Sequence, residues 1–143
     1  PTILDILGAC GVAAPKNIAL DGVSLLPLLE GRAEAWPDRA LHFQWHRGDA
    51  PEPFRAFAAL SQRWKLAQPE GAGNERPPAN APLLLFDMPA DPFETTNVAA
   101  RHPEVVEEMR KGYEAWFRDV ASTRGFAPPR IRLGCSAPTT GKR

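Results

Sequence analysis

PEVVEEMRKGYEAWFRDV, residues 103–120, decides the fold. Val105, Val106, Met109, Tyr113, Trp116, Phe117 and Val120 fall on one stripe at helical spacing, and Pro103 suits the first helical turn. Glu104, Glu107 and Glu108 lie near the positive end of the macrodipole. Glu107 with Lys111 and Glu114 with Arg118 are i,i+4 pairs on the outer face. The stretch therefore predicts one long amphipathic helix, closed by Gly125. Its aromatic stripe needs an apolar surface to cover.

Upstream, the period changes to two. From Ala40 to His46, Leu41, Phe43 and Trp45 alternate with His42, Gln44 and His46, the pattern of a half-buried strand. Arg55 to Leu60 and Arg63 to Gln68 are further strands, with Ser61 and Gln62 between them as a tight turn, and Leu83 to Met88 is a fourth. Strands joined by short or medium loops, then one helix, give an α+β domain: a small four-stranded antiparallel sheet covered by the C-terminal helix. Tyr113, Trp116 and Phe117 are expected to meet Phe43, Trp45, Trp64 and Phe86 across that interface. Pro69 to Pro82, with four Pro and no apolar period, is expected to be an exposed, mobile loop.

Short helices precede the sheet. Thr2 to Leu7 has helical apolar spacing, with Gly8 and Gly11 as stops, and Ser24 is an N-cap for Leu25 to Glu30, which Gly31 ends. A helix entered without a leader suggests a piece of a longer protein. The 11 Gly and 16 Pro among 143 residues argue against a long helical bundle and exclude a coiled coil and collagen.

With 17 basic and 17 acidic side chains there is no cationic surplus to neutralise phosphates, so no nucleic-acid partner is expected. No apolar run approaches the roughly 18 residues that span a membrane. Arg124, Arg130, Arg132, Lys142 and Arg143 make a basic tail with no acid, which reads as a solvated end. Cys10 and Cys135 form no CxxC pair and fit a structural thiol and a tail thiol.

Chemistry-bearing residues are sparse. His42 and His46, four strand residues apart, stand roughly 13 Å from one another, too far to share a metal. His102 directly precedes the long helix. No nucleophile elbow, P-loop or GxGxxG occurs. The dense polar cluster is His46-Arg47-Gly48-Asp49, just after the first strand: Arg offers a planar donor fork suited to sulfate, phosphate or carboxylate, and His a titratable donor. Arg55 is a lesser candidate for the same pocket wall. Asp91 to Asn97 (Asp-Pro-Phe-Glu-Thr-Thr-Asn) reads as a turn built on side-chain bonds to the local backbone.

Pro1-Thr2-Ile3-Leu4-Asp5 with Gly8, Leu20 to Leu29 (LDGVSLLPLL), Trp36-Pro37-Asp38-Arg39, Arg63-Trp64-Lys65-Leu66, and Leu85-Phe86-Asp87-Met88 running through Asp91-Pro92 to Asn97 stand in the order and spacing of a known family. Over roughly Pro1 to Val120 the chain resembles the C-terminal part of an arylsulfatase-type sulfatase. That resemblance implies a four-stranded antiparallel sheet with a packed terminal helix. It makes residues 1–39 a helical lead-in from the end of a catalytic domain, 40–123 the C-terminal subdomain and 124–143 a basic, flexible tail. It also implies, for the parent enzyme, a calcium ion and a formylglycine made from a Cys-x-Pro-x-Arg or Cys-x-Ala-x-Arg motif. Neither belongs to this segment: Cys135-Ser136-Ala137-Pro138-Thr139 has Thr139 where the motif requires Arg. The expectation is a segment non-catalytic by itself, whose partners are the sulfatase catalytic domain and, through it, a sulfated small molecule or glycan. His46, Arg47, Asp49 and Arg55 are the substrate-binding candidates, resting on chemistry and loop position. An export signal in the parent would make it periplasmic or secreted. The alternative is a stand-alone binding module for an acidic glycan or protein partner, acting through the tail.

Overall fold

The computed structural model describes residues 1–13, 15, 20–32, 34, 36–48 and 50–124, and divides into two compact units, Pro1–Arg39 and Ala40–Arg143. Gly125 and the basic tail beyond it, with Cys135, lie outside the described residues.

In the first unit, α1 (Thr2–Ala9) continues through Gly8; past its C-cap, Cys10, Gly11 with a φ of 81° gives the left-handed turn that lets Val12 N–H reach the Leu7 carbonyl. Gly8 is thus no stop signal. Helix α2 (Leu26–Leu29) is a single turn whose N-cap is Leu25, not Ser24, though Ser24 Oγ accepts from Leu26 N–H at 3.2 Å just ahead of it. Thr2 Oγ1 accepts from Leu25 N–H at 2.8 Å and ties the two helices together. Cys10 is free and exposed, which corrects its reading as a structural thiol.

The second unit is the expected α+β arrangement. Strands β1 (Leu41–Gln44), β2 (Phe57–Leu60), β3 (Trp64–Gln68) and β4 (Leu84–Asp87) form an antiparallel sheet in the order β1-β2-β3-β4, and α3 (Pro103–Arg124) packs on one face. The register pairs His42 with Ala59, Ala59 with Leu66 and Leu66 with Leu85, so these side chains share the helix-facing surface. Phe57, Ala59, Leu66, Leu85 and Tyr113 are the buried core, with Trp64, Val105, Val106, Met109, Trp116 and Phe117 packed around it. Burying Leu66 and Leu85 stabilises by about 2 kcal/mol each.

Strand β1 faces the other way from the sequence expectation. Phe43 and Trp45 are 53% and 66% exposed, while His42 stacks on Trp116 and Gln44 bonds Tyr113. The reason is that both polar side chains find partners on α3: His42 lies against the Trp116 ring, and Gln44 Oε1 accepts from the Tyr113 hydroxyl. Of the four residues expected to meet the aromatic stripe, Trp64 packs against the core and has its ring against His102, just ahead of α3. Phe86, paired with Lys65, is buried on the opposite face.

The Asp91 to Asn97 turn is built as read. Asp91 accepts from Thr96 N–H at 2.8 Å and from Thr95 Oγ1 at 3.1 Å, bonds that hold its carboxyl below the usual carboxylate range. Asn97 Oδ1 accepts from both Leu85 N–H and Ala99 N–H, and Val98 N–H donates to the Leu85 carbonyl, so this segment covers the outer edge of β4. A single 3-10 turn (Ala99–Arg101) then leads into α3. On the outer face of α3, Arg110 bridges Glu107 and Glu114 between the two anticipated pairs, and this cation holds the Glu107 carboxyl down at about 2.

Candidate functional site

Two loops meet at one end of the sheet: residues 45–56, between β1 and β2, and residues 69–83, between β3 and β4. They join through the backbone, with Arg47 N–H donating to the Ala72 carbonyl at 3.0 Å and Ala56 N–H to the Glu70 carbonyl at 3.2 Å. The first loop and the last turns of α3 enclose an open cleft of about 270 Å³ lined by Gln44, Trp45, His46, Pro51, Trp116 and Phe117.

His46 sits past the end of β1 and is pinned by both ring nitrogens. Nε2 accepts from Glu52 N–H at 3.0 Å and Nδ1 faces the Arg47 carbonyl at 2.9 Å, which places the ring proton on Nδ1. An imidazole held this way shapes the loop. Arg47 is exposed, and its guanidinium forms no hydrogen bond among the described residues. It lies close enough to Glu75 to help lower that carboxyl, after the larger effect of backbone N–H donors at Glu75 and Gly73. Asp49 lies outside the described residues.

Arg55, the lesser substrate-binding candidate, lies beneath the two loops. It is 4% exposed, and every guanidinium nitrogen is bonded: Nε to the Gly71 carbonyl at 2.8 Å, Nη1 to Glu52 Oε1 at 2.9 Å, and Nη2 to the carbonyls of Gly73 and Glu75, both at 2.9 Å. A planar five-donor fork is the side chain that can collect three carbonyls and a carboxylate at once. The residues on either side, Phe54 (φ 60°) and Ala56 (φ 44°), both lie in the left-handed region, a strain of roughly 1 kcal/mol or more each that the Arg55 bonds offset. The loop from Pro69 is consequently anchored: Gly71 is buried, and a Cβ there would stand 2.5 Å from Pro77 Cδ.

Beneath the cleft, Tyr113 is fully buried. Its hydroxyl donates to Gln44 Oε1 at 2.7 Å and accepts from Phe54 N–H at 3.4 Å, and burial pushes the phenol up to about 12. Beside it, His42 lies nearly parallel to Trp116, with ring centroids 5.5 Å apart. Its Nε2 is buried without a hydrogen-bond partner among the described residues, and desolvation lowers its pKa. Sequence reasoning missed the Trp45, Trp116 and Phe117 cleft, the Glu52 partner of Arg55 and the Tyr113–Gln44 bond. The odd placement of a Gln amid an aromatic strand was the one available signal for the last.

Among the described residues no group of three or more His, Cys, Asp or Glu comes together to hold a metal, and no helix is long and apolar enough to cross a membrane.

No family model matches the chain. It is 34% identical over 118 residues to arylsulfatase K of Xenopus laevis and 32% identical over 116 residues to arylsulfatase K of Gallus gallus, 78% of this chain in each case. It is also 36% identical over 70 residues, 41% of the chain, to the N-acetylgalactosamine-6-O-sulfatase of Bacteroides thetaiotaomicron. It spans about a fifth of the first two relatives' length (20% and 19%) and 13% of the third. A solved structure of a protein bound to its substrate D-glucosamine-2-N,6-O-disulfate shares the fold, with a TM-score of 0.54 at 23% identity over 87% of this chain and 24% of that one. Sequence and fold together identify the chain as a sulfatase C-terminal region.

Proposed function

We propose that this region is a non-catalytic subdomain of a sulfuric ester hydrolase, stabilising the catalytic domain and lending the loop of residues 45–56 to its substrate pocket. The observation that carries the reading is the 34% identity over 118 residues to an arylsulfatase five times the matched length. Hydrolysis of a sulfate ester needs a nucleophile, a cation on the developing charge and an acid for the leaving group. Cys135-Ser136-Ala137-Pro138-Thr139 has Thr139 where the formylglycine motif requires Arg, and the calcium and the formylglycine implied by the family are assigned to the catalytic domain. The surface of the sheet away from α3 supports docking, because Leu41 and Phe43 are exposed there as large apolar side chains.

For the substrate, a sulfated sugar or small molecule, Arg47 is the group suited to contact: it is exposed, carries a guanidinium without a hydrogen bond among the described residues, and is fixed through its own backbone. His46 holds the loop, Asp49 follows on the same loop as a further contact, and Arg55 contributes from beneath.

The test is the intact mass of the native gene product, with peptide mapping across any Cys-x-Pro-x-Arg or Cys-x-Ala-x-Arg stretch. A chain several times 15.6 kDa carrying a formylglycine is the expected result. A native product of this size alone removes the sulfatase role and leaves a binding module. Within the larger enzyme, Arg47→Ala raises KM or lowers kcat for the sulfated substrate, and unchanged kinetics take Arg47 out of the pocket.

A further inference from the structure

We infer that Arg55 is a positioning residue: from beneath the two loops it latches residues 71–75 against residues 46–56 and so sets the place from which Arg47 reaches an anion. The inference rests on the reading above for what Arg47 does, but its structural half stands on the geometry alone.

Three observations converge. The buried Arg55 guanidinium commits four of its five N–H donors, to Glu52 and to three carbonyls of the second loop. The second loop in turn carries the Ala72 carbonyl, which holds Arg47 N–H, and Glu75, whose carboxyl feels Arg47. Gly71 approaches so closely that a Cβ there would meet Arg55 Cγ at 3.2 Å. The path from Arg55 to Arg47 is therefore short and continuous: guanidinium, Gly71 and Gly73 carbonyls, Ala72 carbonyl, Arg47 backbone. A lysine, a single ammonium on a flexible stem, cannot hold three carbonyls and a carboxylate in one plane.

The experiment uses the full-length sulfatase and inorganic sulfate as the probe, comparing wild type, Arg55→Lys, Arg47→Ala and the double variant. Amide hydrogen exchange is read at Arg47 and Ala56, the donors that cross between the loops. Sulfate affinity is read by calorimetry. Arg55→Lys is expected to speed exchange at both amides and to weaken sulfate binding by about tenfold, the worth of one charged hydrogen bond. In the Arg47→Ala background the same change is expected to cost no further affinity. If Arg55→Lys fails to fold, Glu52→Gln takes its place; it leaves the three carbonyl bonds intact and gives a smaller rise in exchange at the same amides.

Unchanged exchange in Arg55→Lys overturns the latch. An equal loss of sulfate affinity with and without Arg47 overturns its action through Arg47. A different pattern, in which exchange rises but Arg47→Ala leaves sulfate affinity untouched, sinks the substrate reading and leaves the latch in place.

Discussion

Replacing Tyr113 by Phe removes one oxygen from the centre of the second unit and leaves the ring against Phe54, Phe57, Trp116 and Phe117. No cavity larger than a hydroxyl forms, so the cost comes from hydrogen bonding. The 2.7 Å bond to Gln44 Oε1 is lost and that oxygen keeps no other bond, while the Phe54 N–H loses its 3.4 Å acceptor. A buried group deprived of its partner costs about 1 to 3 kcal/mol, so with one strong and one long bond the total is about 2 kcal/mol. Urea denaturation followed by tryptophan fluorescence should show the midpoint fall by about 1 M at unchanged slope. Tyr113→Ala, which also opens a cavity, costs about 4 kcal/mol. The chain has one tyrosine, so its phenolate absorbance reports this site alone. In the folded state it titrates at about 12. The folded pKa lies above the unfolded value of about 10, so the linked stability is fully present below pH 10 and is lost as pH rises toward 12. A Tyr113→Phe midpoint within about 0.3 M of wild type, taking about a tenth of the urea range as the error, would refute the buried bond. So would a phenol titrating near 10.

Other outcomes follow from the same packing. His42 has its folded pKa lowered by burial against Trp116, so the unfolded chain takes the proton first and stability falls as pH drops through about 6.5; His42→Phe should remove that part of the slope in a pH series of melting temperatures. Gly71→Ala, forced to keep a φ of 81° and to meet Pro77, is expected to cost about 1 to 3 kcal/mol by denaturation, and a neutral result would show that the loop can be rebuilt. Leu66→Ala costs about 3 kcal/mol, while Phe43→Ala changes the stability of the 143-residue chain by no more than about 0.5 kcal/mol; equal costs would return Phe43 to the core.

The helix was legible because its signal is redundant: seven apolar residues at one period, a Pro at the start and charge pairs outside all agree with the observed span of Pro103–Arg124. The strands were legible in number and order, since alternation and turn residues bound each of them. The face of β1 was not. Period two says that Phe43 and His42 point in opposite directions, and hydrophobicity assigns the aromatic side inward; which side meets α3 depends on partners far apart in sequence, Trp116 for His42 and Tyr113 for Gln44. The same holds for the site. His46 and Arg47 could be picked out as a polar cluster next to a strand end, but the burial of Arg55 depends on a loop that begins 14 residues later, at Pro69, and no local pattern announces that three carbonyls will turn toward one guanidinium.

The covering of β4 by Asn97 and Val98 sets how this sheet can associate. Leu85 already has its outer N–H and C=O engaged, so β4 offers no template there for a further strand, whereas no described strand of this unit pairs with the outer side of β1. A sheet with two open edges can stack copies without end. Here strand addition is blocked on the β4 side at Leu85, and β1 is the edge left for it among the described residues.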